Sequence, residues 1–140
     1  MTVTTSSIQL STRGDADIQD ITRQVQSVVT QSGIQNGLVT VFCPSSTSAL
    51  TTIEYETGVL NDLRRLFDQI VDPNQHYQHN ARWGDGNGHS HVRSALLGPS
   101  LTIPISAGRL TLGTWQQVIY IDFDNRPRNR ELVVQIMGES

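Results

Sequence analysis

Two histidines one residue apart, His89 and His91, follow three glycines in the segment GDGNGHSHVRSALLG, residues 84–98. Neutral imidazoles are ligands for zinc, iron, copper and nickel, and two at this spacing on an extended strand can bind one ion. We expect the segment to be extended, because its glycines disfavour an unbroken helix. Alternate side chains of an extended chain share one face, so Asp85, Asn87, His89 and His91 should converge. In a helix the two histidines would point roughly 200° apart and could not share a ligand.

The surrounding stretch, residues 74–90, is polar and glycine-rich, and with His91 it carries all four histidines of the chain. We predict one long loop here, and such loops in compact domains are usually functional or disordered. A metal ion would need a further ligand, for which the candidates are His79, or Glu54 and Glu56, which share a face if their segment is a strand. The alternative is that Asp, Asn and Gly form turns while the histidines hydrogen-bond to backbone groups. A metal site and a turn-rich loop both remain open.

Two further segments contain groups that can bind anions. In CPSSTSALTT, residues 43–52, a run of hydroxyls and free backbone amides between two strands can hold a phosphate. In DFDNRPRNRE, residues 122–131, Arg126, Arg128 and Arg130 alternate, and guanidinium groups on one side of an extended segment suit phosphate or carboxylate. Spacing alone favours simpler interpretations, namely an ordinary hydroxyl-rich turn and an exposed hairpin loop in which the arginines pair with neighbouring acids.

Composition restricts the class of protein. The chain has 140 residues, of which 36% are hydrophobic, and a net charge of −3, which predicts one domain with its own core and gives no reason to expect nucleic acid or an anionic membrane as a partner. Every basic residue is an arginine, which excludes a lysine Schiff base. The single cysteine, Cys43, excludes an internal disulfide and is expected in the core. No apolar run approaches the roughly 20 residues that span a bilayer, and residues 1–5 do not resemble a signal peptide, so we expect a soluble cytoplasmic protein.

Hydrophobic periodicity predicts the elements that position these residues. The predicted strands are Thr2–Ser11, Gly37–Cys43, Ala49–Glu56, residues 100–105, and a hairpin formed by residues 115–124 and 130–138. The predicted helices are one from Asp15 or Asp17 to Gly33 with Ile18, Ile21, Val25 and Val28 on one face, one over Val59–Val71, and a short one over Val92–Leu97. Strands interleaved irregularly with two to three helices indicate a single α+β domain, residues 1–140, with a mostly antiparallel sheet.

Several of these segments together resemble the YjbQ-like family, whose members are also called secondary thiamine-phosphate synthase enzymes. The matching segments are STSALTTIEYETG, HN, GDGNGHSHVRSALLGPSLTIPI, GRLTLGTWQQVIYIDFD and RPRNRE, within Ser6 to Gly138. The resemblance implies a compact α+β domain, usually a homotrimer, with polar residues gathered in a pocket. The corresponding residues here are Glu54, His79, Asn80, Asp85, Asn87, His89, His91 and Arg128. The chain departs from many members at Ser46, where they carry a histidine, and at Arg93, where they carry a lysine.

The activity that the resemblance implies joins hydroxymethylpyrimidine diphosphate to thiazole phosphate, giving thiamine phosphate and pyrophosphate. Such chemistry needs Mg²⁺ or arginine to stabilise the leaving diphosphate, and Arg93, Arg109 and Arg128 are available. The predicted catalytic residues are Glu54, His79, Asn80, Asp85, Asn87 and Arg128. The predicted ligands of a divalent ion, zinc or magnesium, are His79, His89 and His91, with Asp85 and Glu54 as alternatives that suit magnesium.

Three hypotheses follow. The first is an enzyme of the thiamine-phosphate synthase type, although 140 residues cannot form the (β/α)₈ barrel of a dedicated synthase. The second is a metal-dependent hydrolase in which His79, His89, His91 and Glu54 position an ion that activates water. The third is a non-catalytic homotrimer that binds a small phosphorylated metabolite or a metal.

Overall fold

Eight strands and four helices make up the computed structural model, which describes residues 1–140 throughout. In chain order they are β1 (Thr2–Thr12), β2 (Asp17–Asp20), α1 (Thr22–Ser32), β3 (Asn36–Phe42), β4 (Ser48–Ile53), α2 (Thr57–Ile70), α3 (Gln78–Trp83), α4 (Gly88–Leu97), β5 (Ser100–Ser106), β6 (Arg109–Leu110), β7 (Gln117–Asp122) and β8 (Arg128–Glu139). No helix has the length and apolar character required to cross a membrane.

The strands form two sheets with only antiparallel pairs. The larger has the order β1-β8-β3-β5-β6 and the smaller β2-β7-β4. Strand β8 therefore lies between β1 and β3, although it follows both in the chain. The predicted α+β class with a mostly antiparallel sheet is confirmed. There are four helices rather than two or three, because α3 and the start of α4 occupy the predicted loop.

The smaller sheet is buried on both faces. Val118 and Tyr120 of β7 pack in the main core with α1 and the larger sheet. Ile119 and Ile121 of the same strand point the other way, into a second apolar cluster that includes Phe67 of α2. A strand covered on both sides reads as a continuous apolar run, which explains the sequence VIYI.

The predicted hairpin of residues 115–124 with 130–138 is wrong, because β7 and β8 belong to different sheets. Strand β8 buries alternate residues, Leu132, Val134 and Ile136, as expected of a strand with one face in the core. The chain leaves the smaller sheet after Asp122 and enters the larger one at Arg128. This crossing places residues 123–127 at the junction of the two sheets.

The first helix begins later than its periodicity indicates. Residues Asp17–Asp20 form β2, and the helix starts at Thr22, whose backbone N–H donates to Asp20 Oδ1 at 3.0 Å. Ile18 in β2 and Ile21 directly before α1 are buried like Val25, so burial outside the helix imitated helical spacing. The end was predicted correctly: Gly33 caps α1 with a left-handed φ of 72°.

The segment 84–91 is not extended, because α4 already begins at Gly88. Gly84 ends α3 with a φ of 68°, and Gly86 also has a positive φ of 70°. A Cβ at Gly88 would lie 2.5 Å from Tyr77 Cβ, so this glycine permits the close approach of α4 to the segment before α3. The glycines thus provide turns and a tight contact, and the helix continues from Gly88 to Leu97.

Candidate functional site

A polar cavity of about 390 Å³ lies where the junction of the two sheets meets the start of α4. It is lined by Pro44, Ser45, Ser46, Thr47, Asp85, Asn87, His91, Asp124, Arg126, Arg128 and Arg130. Apart from Pro44, every lining residue is polar or charged. The cavity therefore unites the hydroxyl turn, the arginine segment and part of the histidine segment, which are far apart in the chain.

A buried ion pair forms the floor of this cavity. Arg130 donates from Nε to Asp122 Oδ2 at 2.8 Å and from Nη2 to Asp122 Oδ1 at 2.9 Å. Its Nη2 also donates to Thr47 Oγ1 at 2.9 Å, and Thr12 Oγ1 donates to the same carboxylate. The hydrogen bonds to Asp122 raise the pKa of Arg130 above its usual value. The guanidinium is thus a fixed cation tied to both sheets.

Asp124, also buried, ties the cavity walls together. Its carboxylate accepts hydrogen bonds from Asn87 Nδ2 at 3.3 Å, Thr47 Oγ1 at 3.1 Å and Arg128 Nε at 3.2 Å. Burial acts to raise the pKa of Asp124, but the hydrogen bonds from Asn87 and Thr47 and the charge of Arg128 outweigh it and lower the pKa. Asp124 is therefore ionised and joins three separate segments.

The arginine side of the cavity keeps donors free for a ligand. Arg126 is exposed, and only its backbone N–H is engaged, by Asp124 Oδ1 at 3.2 Å. Its guanidinium makes no ion pair, whereas those of Arg128 and Arg130 do. Ser46 is exposed on the opposite wall. Arg128 and Arg130 are balanced by Asp124 and Asp122, so the unpaired guanidinium of Arg126 is the group most available to an anion.

His79, Asp85 and His91 lie together at the rim. His79 Nδ1 is 3.2 Å from Asp85 Oδ1, although the two atoms are not aligned for a hydrogen bond. The rings of His79 and His91 have centroids 4.5 Å apart. Asn80 acts behind this group, where its Oδ1 accepts the backbone N–H of Gly88 at 2.8 Å and so fixes the start of α4. These groups are positioned to contact a ligand beside the arginines.

His89 does not join them. Because the segment is helical, His89 and His91 project from different sides of α4, and the expected convergence of the two histidines is wrong. His89 is buried and lines a different cavity, together with Arg93. Burial and then the charge of Arg93 lower the pKa of His89, so this imidazole is neutral near pH 7.

The predicted metal site therefore lacks His89, one of its three predicted ligands. No group of three or more His, Cys, Asp or Glu side chains lies close enough within the chain to hold a metal ion. The residues present do not fit a centre built on His79, His89 and His91. A divalent ion stays a prediction, for which this chain alone supplies no complete set of ligands.

Other predicted residues also lie away from the cavity. Glu54 is exposed just beyond β4, whose opposite end adjoins Thr47, so about 20 Å of strand separates it from the cavity. Arg109 lies on β6 at the edge of the larger sheet. Cys43 is in the core as predicted, where burial raises the pKa of its thiol.

The sequence analysis gave too little weight to the arginine segment as part of a binding site. An exposed hairpin loop was favoured for residues 122–131, but Arg130 is largely buried and Asp122 fully so. The available signal was the alternation of Asp122 and Asp124 directly after a strand that is apolar on both faces. Acidic residues that continue a buried strand must be paired, and the nearby arginines are the partners.

Known proteins resemble this chain in sequence and in structure. The model of the family described as UPF0047 protein YjbQ-like matches residues 6–139. A UPF0047 protein of Methanothermobacter thermautotrophicus is 39% identical over 139 residues, which is 99% of this chain and 95% of its own. The UPF0047 protein YugU of Bacillus subtilis is 33% identical over 133 residues, or 94% and 97% of the two chains. The crystal structure of a YbjQ-like protein from Sulfolobus solfataricus is similar, with a TM-score of 0.93, 33% identity and 99% of both chains covered.

Proposed function

The chain belongs to the YjbQ-like UPF0047 family, and on that basis we propose that its polar cavity binds the phosphate or diphosphate of a small metabolite for a transfer reaction of the thiamine-phosphate synthase type. The observation that carries the proposal is the unpaired guanidinium of Arg126 beside the fixed cations Arg128 and Arg130. Guanidinium groups bind phosphate oxygens through paired hydrogen bonds. A cavity of this size matches a small phosphorylated molecule.

The proposed reaction moves a pyrimidine-methylene group between two acceptors. The bond between the methylene carbon and the diphosphate oxygen breaks, and the diphosphate leaves with the electron pair. A new bond forms from the thiazole nitrogen to the methylene carbon, and no proton has to be transferred. Negative charge grows on the leaving oxygen, where donors such as Arg126 and Arg128 lower the barrier. Asp85, at the rim, supports the positive charge that develops on the pyrimidine.

The predicted residues take different roles in this proposal. Asp85, His91 and Arg128 line the cavity, and we expect them to contact the substrate. Asn87 also lines it but donates to Asp124, so it acts mainly by holding the wall. Asn80 positions α4 through Gly88. The family resemblance adds a homotrimer as the proposed assembly, with a divalent ion brought by the diphosphate as a further prediction.

Binding without turnover is the alternative, because the same donors would hold a phosphorylated metabolite in a non-catalytic protein. A metal-dependent hydrolase has less support, since His89 lies outside the cavity and Glu54 lies far from it. The two remaining functions differ in one measurable outcome, which is whether pyrophosphate is released from the diphosphate substrate.

The test measures pyrophosphate binding by calorimetry and thiamine phosphate formation by chromatography, with and without Mg²⁺ and a chelator. Arg126→Gln is expected to lower pyrophosphate affinity about tenfold, since a charge-assisted hydrogen bond is lost. Arg109→Gln is the matched control, because Arg109 lies outside the cavity. Binding with turnover supports the synthase, and binding without turnover supports the non-catalytic alternative. Wild-type protein that does not bind pyrophosphate would contradict both.

A further inference from the structure

A second, smaller cavity of about 200 Å³ lies on the other side of α4 from the first. Its walls come from α4, α2 and the turn before β2, through His89, Arg93, Arg64, Asp68 and Asp15. The volume has room for about six water molecules or one small metabolite. None of these residues lines the polar cavity described above.

The imidazole of His89 has an unused polar atom at this cavity. The residue is 7% exposed, and its Nδ1 is buried without a well-aligned hydrogen bond, although the backbone of Gly86 lies near enough to the imidazole to interact with it. Its other nitrogen, Nε2, is 3.5 Å from Ser90 Oγ. Buried polar atoms are nearly always paired in folded proteins, so an unpaired one that lines a cavity indicates a missing partner there.

Two arginines also keep unused donors at the cavity. Arg93, 4% exposed, donates from Nε and Nη2 to the carbonyl of Val71 at 3.2 and 2.9 Å, and from Nη2 to Asp68 at 3.1 Å. Its Nη1 makes no hydrogen bond within the chain. Arg64 uses only Nε, which donates to the carbonyl of Ala16 at 3.3 Å. Both guanidinium groups therefore offer donors to an anionic group.

Asp15, an exposed residue, lines the same cavity as these cations. Asp15 donates its backbone N–H to the carbonyl of Asp124 at 2.7 Å, while its carboxylate makes no hydrogen bond or ion pair. Asp15 and Ala16 both have positive φ angles, 53° and 63°, a strained backbone that is held in place by its neighbours. The cavity thus combines free donors on two arginines with a free acceptor on Asp15.

We propose that this second cavity, the α4–β2 cavity, binds a small zwitterion that carries a carboxylate and an amino group. The carboxylate would accept hydrogen bonds from Arg93 Nη1 and Arg64, and the ammonium group would donate to Asp15. The ligand would also supply a partner for His89 Nδ1. A balanced set of charges in a small cavity favours a neutral zwitterion over a simple anion, because the carboxylate of Asp15 attracts the ammonium group and repels a lone anion.

The test uses the whole protein, labelled with ¹⁵N at histidine, and titrates it with glycine, alanine, acetate and methylammonium. Glycine or alanine should shift the His89 resonances in a saturable way, and acetate and methylammonium should bind at least tenfold more weakly. Asp15→Asn and Arg64→Gln should each weaken glycine binding about tenfold. Because Arg93 packs between Phe67 and Phe123, its replacement would threaten folding, so these two more exposed residues are the better variants.

Two outcomes would overturn the proposal: glycine and alanine that leave His89 unshifted, or acetate that binds as tightly as glycine. The second outcome would identify a simple anion site. Pyrophosphate affinity serves as the readout of the polar cavity, and Arg64→Gln should leave it unchanged. The zwitterion site and the phosphate site can therefore succeed or fail independently.

Discussion

Asp122 and Arg130 connect the two sheets through a pair of parallel hydrogen bonds of 2.8 and 2.9 Å. Asp122 ends β7 in the smaller sheet, and Arg130 lies near the start of β8 in the larger one. Both side chains are withdrawn from solvent, and Thr12 and Thr47 complete their hydrogen bonds. The pair therefore fixes the position of one sheet relative to the other beneath the polar cavity.

Removing one member of this pair should be costly. Asp122→Asn leaves the Arg130 charge buried and unpaired, so we expect the free energy of unfolding to fall by about 3–5 kcal/mol. Denaturant titration measures this change. Asp62→Asn is the control, because Asp62 and its partner Arg65 are both about two-thirds exposed and their pair should contribute less than about 1 kcal/mol. Equal effects of the two substitutions would show that the buried pair does not stabilise the fold.

The two histidines of the motif should behave differently when replaced. His91→Ala, at the rim of the polar cavity, should change the free energy of unfolding by less than about 1 kcal/mol and weaken pyrophosphate binding. His89→Ala should leave pyrophosphate binding unchanged, since His89 faces the α4–β2 cavity. Calorimetry on both variants checks this contrast. If both lost pyrophosphate affinity equally, the helical separation of the two side chains would be wrong in solution.

Stability should depend on pH through Asp124, whose pKa is lowered in the folded state. The unfolded chain binds a proton near the ordinary aspartate value of about 3.9, and the folded chain does so only at lower pH. The stabilisation is thus present above that value and is lost as the pH falls through the folded pKa. Thermal unfolding from neutral to acidic pH should show this loss, and Asp124→Asn should show a smaller acid dependence.

Replacement of Gly14 should destabilise the protein, because this glycine packs against the backbone of the cavity wall. A Cβ there would lie 2.4 Å from the carbonyl oxygen of Asp124 and 2.8 Å from that of Arg126, at a φ of +83°. Gly14→Ala is expected to lower the free energy of unfolding by more than about 1 kcal/mol and to weaken pyrophosphate binding. Gly84→Ala is the matched control, since its φ is also positive, +68°, but no atom lies within 4 Å. A similar loss in both variants would assign the effect to backbone strain alone.

Hydrophobic periodicity was sufficient to predict the helices and strands that bury one face. Strand β3 and helix α2 show clean period-2 and period-3.6 patterns, and both were predicted within a few residues. Hydrophobic periodicity gave a wrong prediction where residues are buried by contacts with segments distant in the chain. Ile18 is covered by helix and sheet together, so it matched a helical repeat while lying in a strand.

The site could be predicted in its residue types and only partly in its arrangement. Ion binding was considered for the hydroxyl turn, the arginines and Asp85, although an ordinary turn and an exposed loop were favoured for the first two. Their convergence depends on hydrogen bonds between segments distant in the chain, such as those from Thr47 and Asn87 to Asp124. The arrangement of the histidines differs from the prediction because α4 begins at Gly88, where the chain closely approaches Tyr77. Glycine in a sequence does not distinguish a flexible loop from a close approach of two segments.

The position of β8 determines when the polar cavity can first form during synthesis. This strand follows both of its partners in the chain yet must insert between them, so the larger sheet cannot close before residues 128–139 are available. The same strand delivers Arg128 and Arg130. Pairing between such distant segments makes folding slow relative to local helices. An incomplete nascent chain therefore lacks two of the three arginines of the polar cavity until the sheet has closed.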